Sequence, residues 1–240
     1  MKFIVSVLLL FISCIKSQSQ IYNTKHFKIF YTNIDRNTSE VADSLETNYG
    51  RIITTLHSQQ LPTVSVHLYI DTISFREGIK RWVPNPSIWT TGITLGDSAI
   101  HIISPNASNQ DYKAMIKSII HEFAHCVSRH INWTLVNNPR WLWEAIAIYE
   151  ANQTSDPYQL SYLINQKPPT LKQLNDWSDT TLYDVGYFIG EYLVSKGDAV
   201  LNSLIKNDGN IKQTLDMDDE EFTKQWFAFV RKKYGIKKLN

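Results

Sequence analysis

The sequence predicts an α+β protein, in which a small N-terminal mixed sheet with helices is followed by a mostly helical lobe. Alternating apolar residues over His26–Thr32 and Val64–Ile70 indicate β-strands in the first half of the chain. Apolar residues at helical spacing dominate the second half, from about Ser108 onward. A run of strands that gives way to a run of helices is typical of the α+β class.

Three further elements complete the first half of the chain. Ser39–His57 carries apolar residues at roughly helical spacing, and Thr72–Ile79 predicts a short helix. Gly92–Ile103 predicts a hairpin that turns near Gly96-Asp97. We therefore expect the hairpin to belong to the same small sheet as the two earlier strands.

The helices of the second half have recognisable start and stop signals. Ser108 with Asp111 predicts a capping box, followed by a helix with a wide apolar face that should be buried. Asn138-Pro139 predicts the start of a second helix, with an N-cap residue followed by proline at the first helical position. Two more helices are predicted over Thr180–Lys196, closed by Gly197, and over Asp218–Tyr234.

The N-terminus has the composition of an export signal. Lys2 gives a positive start, Phe3–Ile15 is an apolar run, and Lys16–Gln20 is polar. The run is too short for a comfortable membrane span, although a retained membrane anchor is the alternative. We therefore expect residues 1–20 to be a signal peptide, and residues 21–240 to form the folded domain.

Cys14 offers a second interpretation of the same segment. Leu10–Cys14 resembles a bacterial lipoprotein processing box, in which Cys14 would become a lipidated first residue. The alternative is that Cys14 is only a small apolar member of the signal. Either interpretation predicts an exported protein that is periplasmic, extracellular or lipid-anchored at a bacterial cell envelope. Membrane attachment is expected only on the lipoprotein interpretation, through a lipid on Cys14.

The charge balance argues against a nucleic-acid partner. Loss of Lys2 and Lys16 would leave 22 of the 24 basic residues against 23 acidic residues, a net charge of −1. Such a chain has no basic surplus with which to bind nucleic acid. Only Cys126 would remain after removal of the signal, so no intrachain disulfide is expected.

The segment His121-Glu122-Phe123-Ala124-His125 follows the H-E-x-x-H pattern. Histidines four residues apart on a helix project from one face, so both imidazoles can reach one zinc ion. Glu122 leans beside the metal and could take a proton from the water that the metal activates. The H-E-x-x-H pattern also occurs by chance, so the surrounding residues must decide whether this segment binds a metal.

The surroundings favour a zinc site. Eighteen residues after His125, Glu144 stands in the apolar sequence Trp141–Ala147, where a carboxylate usually needs a cation. His121, His125 and Glu144 would hold one zinc ion per chain and leave the fourth position open, as catalytic sites do. The alternative is that Glu144 is an exposed acid on a helix.

This arrangement resembles the gluzincin metallopeptidases, and especially the aminopeptidase-N-like branch and the short peptidase MA-like domains. Their pattern is HExxH, eighteen residues, then WLxEG with a Tyr shortly after; here WLWEA carries the Glu, with Ala145 in place of Gly and Tyr149 in the Tyr position. The resemblance implies a thermolysin-like zincin architecture and hydrolysis of peptide bonds.

A second segment extends the resemblance. Tyr183-Asp184-Val185-Gly186 is similar to the family's Tyr-x-x-Gly segment, in which the tyrosine donates a hydrogen bond to the oxyanion. Tyr183 shares a helix face with Gly186 and Gly190, and the glycines would allow a neighbouring helix to approach closely. The alternatives for the donor are Tyr187 and Tyr192.

One departure from the family concerns substrate specificity. The aminopeptidases carry a Gly-x-Met-Glu-Asn segment whose Glu grips the substrate's amino terminus, whereas Gly92–Ser98 contains no Glu. Endopeptidase action on a peptide or protein is therefore favoured, with Ser98–Ile103 as the edge strand that could pair with an extended substrate. His101, in that strand, is interpreted as a strand residue and not as a ligand.

Two other functions stay open on the sequence alone. The chain could be a non-catalytic, zinc-containing binding protein of the cell envelope, which would bind peptides without cleaving them. It could also be a structural zinc domain of a larger envelope assembly. The retained Glu122 favours the peptidase, while the substrate and the oligomeric state are not encoded in any recognisable pattern.

Overall fold

The computed structural model describes residues 19–32, 38–107, 111–134 and 139–236, which form one five-stranded mixed sheet and ten helices. All five strands precede the long helices of the second half, so the α+β class predicted from the sequence is confirmed. The predicted signal peptide falls almost entirely outside the described residues; its last residue, Gln20, pairs with Tyr31. Within the described residues no helix is both long and apolar enough to cross a membrane.

The sheet has a parallel centre and two antiparallel edge strands. In the order β1-β2-β3-β5-β4, the strands β2, β3 and β5 run parallel, whereas β1 and β4 are antiparallel to their neighbours. The expectation that Ser98–Ile103 forms an edge is therefore wrong, because its hairpin partner β4 covers its outer side. The strands are β1 Gln20–Asn23, β2 Phe27–Tyr31, β3 Val64–Tyr69, β4 Gly92–Leu95 and β5 Ala99–Ile103.

One face of the sheet forms the core with the helices α1 (Thr38–Thr55) and α3 (Tyr112–Ile131). Alternate strand residues are buried there, since neighbouring side chains in a strand point to opposite faces. Phe27 shows the packing: its ring lies 5.1 Å from that of Phe123 on α3 and 5.9 Å from that of Tyr49 on α1. The helix with the H-E-x-x-H sequence is thus fixed against the sheet, as its apolar face predicts.

The other helices make up the second half and one connection in the sheet. The predicted helices at Thr72–Ile79, Thr180–Lys196 and Asp218–Tyr234 are present within one residue at each end, and four short helices were not predicted. The elements are α2 Thr72–Ile79, α4 Arg140–Glu150, α5 Ser161–Ile164, α6 Leu171–Leu174, α7 Thr181–Ser195, α8 Val200–Lys206, α9 Ile211–Leu215 and α10 Asp219–Lys233.

The starts of α3 and α4 differ from the predicted ones. Asp111 is itself the N-cap of α3, where its carboxylate accepts a hydrogen bond from the Ala114 amide at 2.7 Å. A carboxylate satisfies an unpaired amide at a helix start as well as a hydroxyl does, so the predicted capping box with Asp111 inside the helix is wrong. Pro139 takes the N-cap position of α4 without a side-chain hydrogen bond. Ser108 and Asn138 lie outside the described residues.

Candidate metal centre

The two histidines of the motif project from one face of α3. His121 and His125 stand one turn apart, with ring centroids 4.6 Å from each other and planes nearly perpendicular. Their side chains are only 12% and 6% exposed. The His125 ring also stacks on Trp143 of α4, 4.2 Å away. Both imidazoles are therefore held in a fixed place below the protein surface.

Glu144 reaches the same place from α4. Its Oε2 lies 3.3 Å from His121 Nε2, and its Oε1 lies 4.0 Å from His125 Nε2. The three candidate ligand atoms all lie within 4.8 Å of one another. Tetrahedral zinc with bonds of about 2.1 Å separates its ligand atoms by about 3.4 Å. The side chain of Glu144 is 8% exposed, so the alternative of an exposed helix acid is wrong.

A hydrogen bond from His121 sets which of its ring nitrogens faces Glu144. The amide oxygen of Gln153 lies 2.8 Å from His121 Nδ1 and accepts its proton, which leaves Nε2 directed at the carboxylate. Glu144 Oε2 and His125 Nδ1 are buried without a hydrogen-bond partner among the described residues. An imidazole lone pair and a carboxylate oxygen repel each other at this distance, so a proton or a metal cation must lie between them.

The charges around the histidines favour a single cation. Burial lowers the pKa of His121, but the nearby Glu144 and Glu122 outweigh burial and raise it. Burial, together with His121 and Arg129, lowers the pKa of His125 well below its usual range. His125 is therefore neutral at pH 7, as a metal ligand must be. The three residues fit a divalent metal ion, which satisfies all their facing lone pairs at once.

Glu122 lies beside this cluster and is not one of its three converging residues. The Thr94 hydroxyl donates to Glu122 Oε2 at 2.7 Å, and a Cβ added to Gly92 would lie 3.0 Å from Oε1. Edge strand β4 thus borders the carboxylate. Burial raises the pKa of Glu122 to about 7, although His121 and Thr94 act in the opposite direction. A base with such a pKa can both accept and release a proton near pH 7.

Tyr183 stands at the exposed start of α7, with 49% of its surface open to solvent. Burial raises its pKa, and the charges of Glu144 and Glu122 raise it further, whereas Arg140 lowers it. Tyr183 therefore lies within electrostatic range of both carboxylates. The alternatives have other contacts, since the Tyr187 ring lies 5.6 Å from that of Tyr149, and the Tyr192 hydroxyl donates to Gln225.

Close packing of α7 on α4 brings Tyr183 towards the site. A Cβ added to Gly186 would lie 2.7 Å from Ile148 Cδ1, and one added to Gly190 would lie 2.4 Å from Tyr149 Cβ. At Gly190 no larger residue fits without moving a helix, whereas at Gly186 the end of the Ile148 side chain would have to move. The predicted close approach through glycines is thus confirmed, and the approached helix is the one that carries Glu144. Ala145 packs into the same contact.

Three residues of the site were not found from the sequence. Gln153 and Thr94 contact His121 and Glu122 through the tertiary fold, and no local pattern marks them. Arg140 is 3% exposed at the start of α4, where it donates to the carbonyl oxygens of Leu174, Asp176 and Asp179. Its position directly before an apolar stretch was a signal for a buried cation.

Three residues outside the metal cluster complete the comparison with the sequence. Glu150 is six residues after Glu144, a spacing that predicts a solvated acid on another helix face, but it is 1% exposed and paired with Arg51 of α1. Cys126 is buried. His101 is also buried and belongs to β5, where its Nδ1 lies 2.7 Å from the Tyr69 hydroxyl; it is not part of the metal cluster.

Comparison with family models, with curated proteins and with solved structures finds no match for this chain.

Proposed function

We propose that the protein is an exported zinc metallopeptidase, similar to the gluzincins, that hydrolyses internal peptide bonds. The observation that supports this best is that His121, His125 and Glu144 meet below the surface and direct their Nε2 and carboxylate oxygen atoms towards one another. Glu122 lies next to the cluster with a pKa suited to proton transfer. A purely structural metal site has no use for such a base.

The proposal assigns the metal to three ligands and leaves room for water and substrate. Two histidines and one carboxylate are the ligands of a catalytic zinc site, which keeps an open position. Zinc bound there would act as a Lewis acid that lowers the pKa of water and polarises the scissile carbonyl. Gln153 would hold the His121 ring in the orientation and tautomer that a ligand needs.

Glu122 would act as the general base and then as the general acid. Ionised, its carboxylate accepts a proton from the attacking water; protonated, it delivers that proton to the leaving nitrogen of the substrate. Thr94 would fix the carboxylate through its hydrogen bond to Oε2, and Gly92 leaves space for Oε1. The phenol of Tyr183 would donate to the oxygen on which negative charge develops.

Edge strand β4 supports endopeptidase action. Among the described strands its outer side is unpaired, and its residues Gly92 and Thr94 lie beside the Glu122 carboxylate. A substrate in extended conformation could therefore pair with Gly92–Leu95 by main-chain hydrogen bonds. This strand has no acidic side chain to grip a free amino terminus. A chain that continues past both sides of the scissile bond is thus better accommodated than a terminal residue.

Mass-spectrometric profiling of a diverse peptide library tests the proposal. Zinc-loaded wild type should cut internal bonds, whereas Glu122→Gln should bind zinc and cut nothing. Cuts by both proteins would remove Glu122 from the mechanism. A folded wild type that binds zinc and cuts no peptide would refute the general peptidase and favour the zinc-containing binding protein. Terminal cuts alone would refute the endopeptidase assignment.

A further inference from the structure

Four large apolar side chains are exposed in the segment before β4, and Trp82 is the least exposed of them at 41%. Ile73 is 76% exposed on the first turn of α2, and Ile88 and Trp89 are 72% and 82% exposed in the following loop. Contiguous apolar groups in water on a folded domain commonly mark a contact surface. None of these side chains is needed by the metal site, so their exposure requires a separate explanation.

The loop that carries Ile88 and Trp89 lies against α2, which carries Ile73. Ile73 and Arg76 are three residues apart in α2 and therefore lie on the same side of the helix. Arg76 reaches across to the carbonyl oxygen of Ser87, 3.5 Å away, and Ser87 directly precedes Ile88. We call Ile73, Ile88 and Trp89 the apolar edge surface.

The topology places this surface at the end of the sheet where the parallel strands finish, and not along the side of an outer strand. The parallel strands β2, β3 and β5 end at Tyr31, Tyr69 and Ile103, which define the carboxyl edge of the sheet. At this edge, α2 and the loop that follows it connect the end of β3 to the start of β4. The chain also emerges here at its N-terminal side, because Gln20 of the antiparallel β1 pairs with Tyr31. The apolar edge surface and the start of β1 therefore lie at the same end of the strands.

The contact is identified as a membrane on the two interpretations of the N-terminus that keep the chain attached to a bilayer, a retained anchor and a lipidated Cys14. The apolar run Phe3–Ile15 is separated from Gln20 by only the four residues Lys16–Ser19, which span at most about 14 Å. The sheet from β1 to β4 is about 19 Å wide, from four strand spacings. An apolar or lipidated segment in a bilayer would thus hold the carboxyl edge close to the lipid headgroups.

We infer that the apolar edge surface rests on a lipid bilayer, with Trp89 and Ile88 in the interfacial region. Tryptophan favours this region, since its ring is apolar and its N–H group can remain hydrated. Arg76, Lys80 and Arg81 outnumber Asp71 and Glu77 between residues 71 and 91, which suits a headgroup layer with some anionic lipid.

This orientation would select the substrate. Gly92 follows Trp89 by three residues, about 10 Å of extended chain, and borders Glu122. Edge strand β4 and the base would then lie near the bilayer and act on polypeptide segments close to the membrane. This consequence rests on the proposed function, whereas the bilayer contact does not.

Site-specific fluorescent labelling of the full chain tests the contact. Trp89→Cys and the matched control Trp133→Cys are each made with Cys14→Ser and labelled with a polarity-sensitive dye, since Cys126 is buried. Trp133 is 63% exposed and lies beside Gly96, at the opposite edge of the sheet. On vesicles of phosphatidylcholine and phosphatidylglycerol, nitroxide-bearing lipids should quench the label at position 89 severalfold more than the label at position 133. Equal quenching at the two positions would overturn the inference.

A second measurement uses no label. Vesicle partitioning of the full chain with Ile88→Ser and Trp89→Ser should be weaker by about tenfold, since two apolar side chains no longer leave water. Trp133→Ser should partition like wild type, and an unchanged double variant would overturn the inference. If the dye at position 89 responds to library peptides and not to vesicles, the surface is a peptide contact instead. All measurements are made in chelator, so they do not depend on zinc or on peptidase activity.

Discussion

The contact between α4 and α7 allows the effect of one added methyl group to be worked out. In Gly190→Ala the new Cβ would lie 2.4 Å from Tyr149 Cβ and 3.1 Å from the Ala145 carbonyl oxygen. Carbon atoms pack at about 3.5–4.0 Å, so the helices must separate by about 1 Å. Neither neighbouring atom is the free end of a flexible side chain, and the strain therefore reaches the backbone of α4.

The expected loss of stability is larger than the gain in helix propensity. Overpacking costs about 1–3 kcal/mol, and this clash belongs at the upper end of that range. Replacing Gly by Ala within a helix gains about 1 kcal/mol. We therefore expect Gly190→Ala to lower the free energy of unfolding by about 1–2 kcal/mol, and to weaken zinc binding because Glu144 moves with α4.

Urea denaturation in chelator measures the first effect, and a matched substitution controls for propensity. Gly50 lies in α1, and a Cβ added there meets nothing within 4 Å. Gly50→Ala should therefore raise the free energy of unfolding by about 0.5–1 kcal/mol. Equal stabilisation by both substitutions would refute the close contact, and with it the reason given for the position of Tyr183.

Two further predictions concern polar contacts. Gln153→Leu should weaken zinc binding by about 10–100-fold in a titration against a competing chelator, because His121 Nδ1 loses its acceptor. Gln153→Glu keeps an acceptor and should bind zinc nearly as well as wild type. Equal loss of zinc binding in both variants would exclude Gln153 as the residue that orients His121. Burial outweighs Arg51 and raises the pKa of Glu150 to about 7. Folded protein then binds the proton more tightly than unfolded protein, so wild-type stability should fall between about pH 4.5 and pH 7 by up to about 3 kcal/mol. Glu150→Gln should lack this part of the pH dependence in urea denaturation, and identical pH profiles would contradict the assignment.

Elements with a strong local signal were predicted well from the sequence. Thr72–Ile79 forms a helix with the predicted ends, and it begins at Asp71, whose carboxylate accepts from the Ser74 amide. Val64–Tyr69 alternates buried and half-buried residues, as its apolar pattern predicts. The four-residue strand β1 was missed because it is exposed throughout and has no apolar alternation to detect.

Contacts between distant parts of the chain could not be predicted in the same way. Arg51 and Glu150 are 99 residues apart, so nothing near Glu150 in the sequence announces its partner. Ser98–Ile103 and Gly92–Leu95 form the predicted hairpin, but its order in the sheet decides which strand is the edge. That order depends on the pairing of β5 with β3, a choice that a local pattern does not record.

The three buried charges of α4 show why Glu144 in particular needs a cation. Arg140 donates to three carbonyl oxygens, whose partial negative charge stabilises its cation. Glu150 is paired with the positively charged guanidinium of Arg51. Glu144 faces the Nε2 atoms of His121 and His125, and the contact of His121 Nδ1 with Gln153 leaves Nε2 without its own proton in the neutral ring. A buried carboxylate that faces the unprotonated Nε2 of His121 is unfavourable until a proton or a metal cation enters between them. The same helix thus contains two charges whose partners are part of the chain, and a third, Glu144, for which we propose a metal cation from solution.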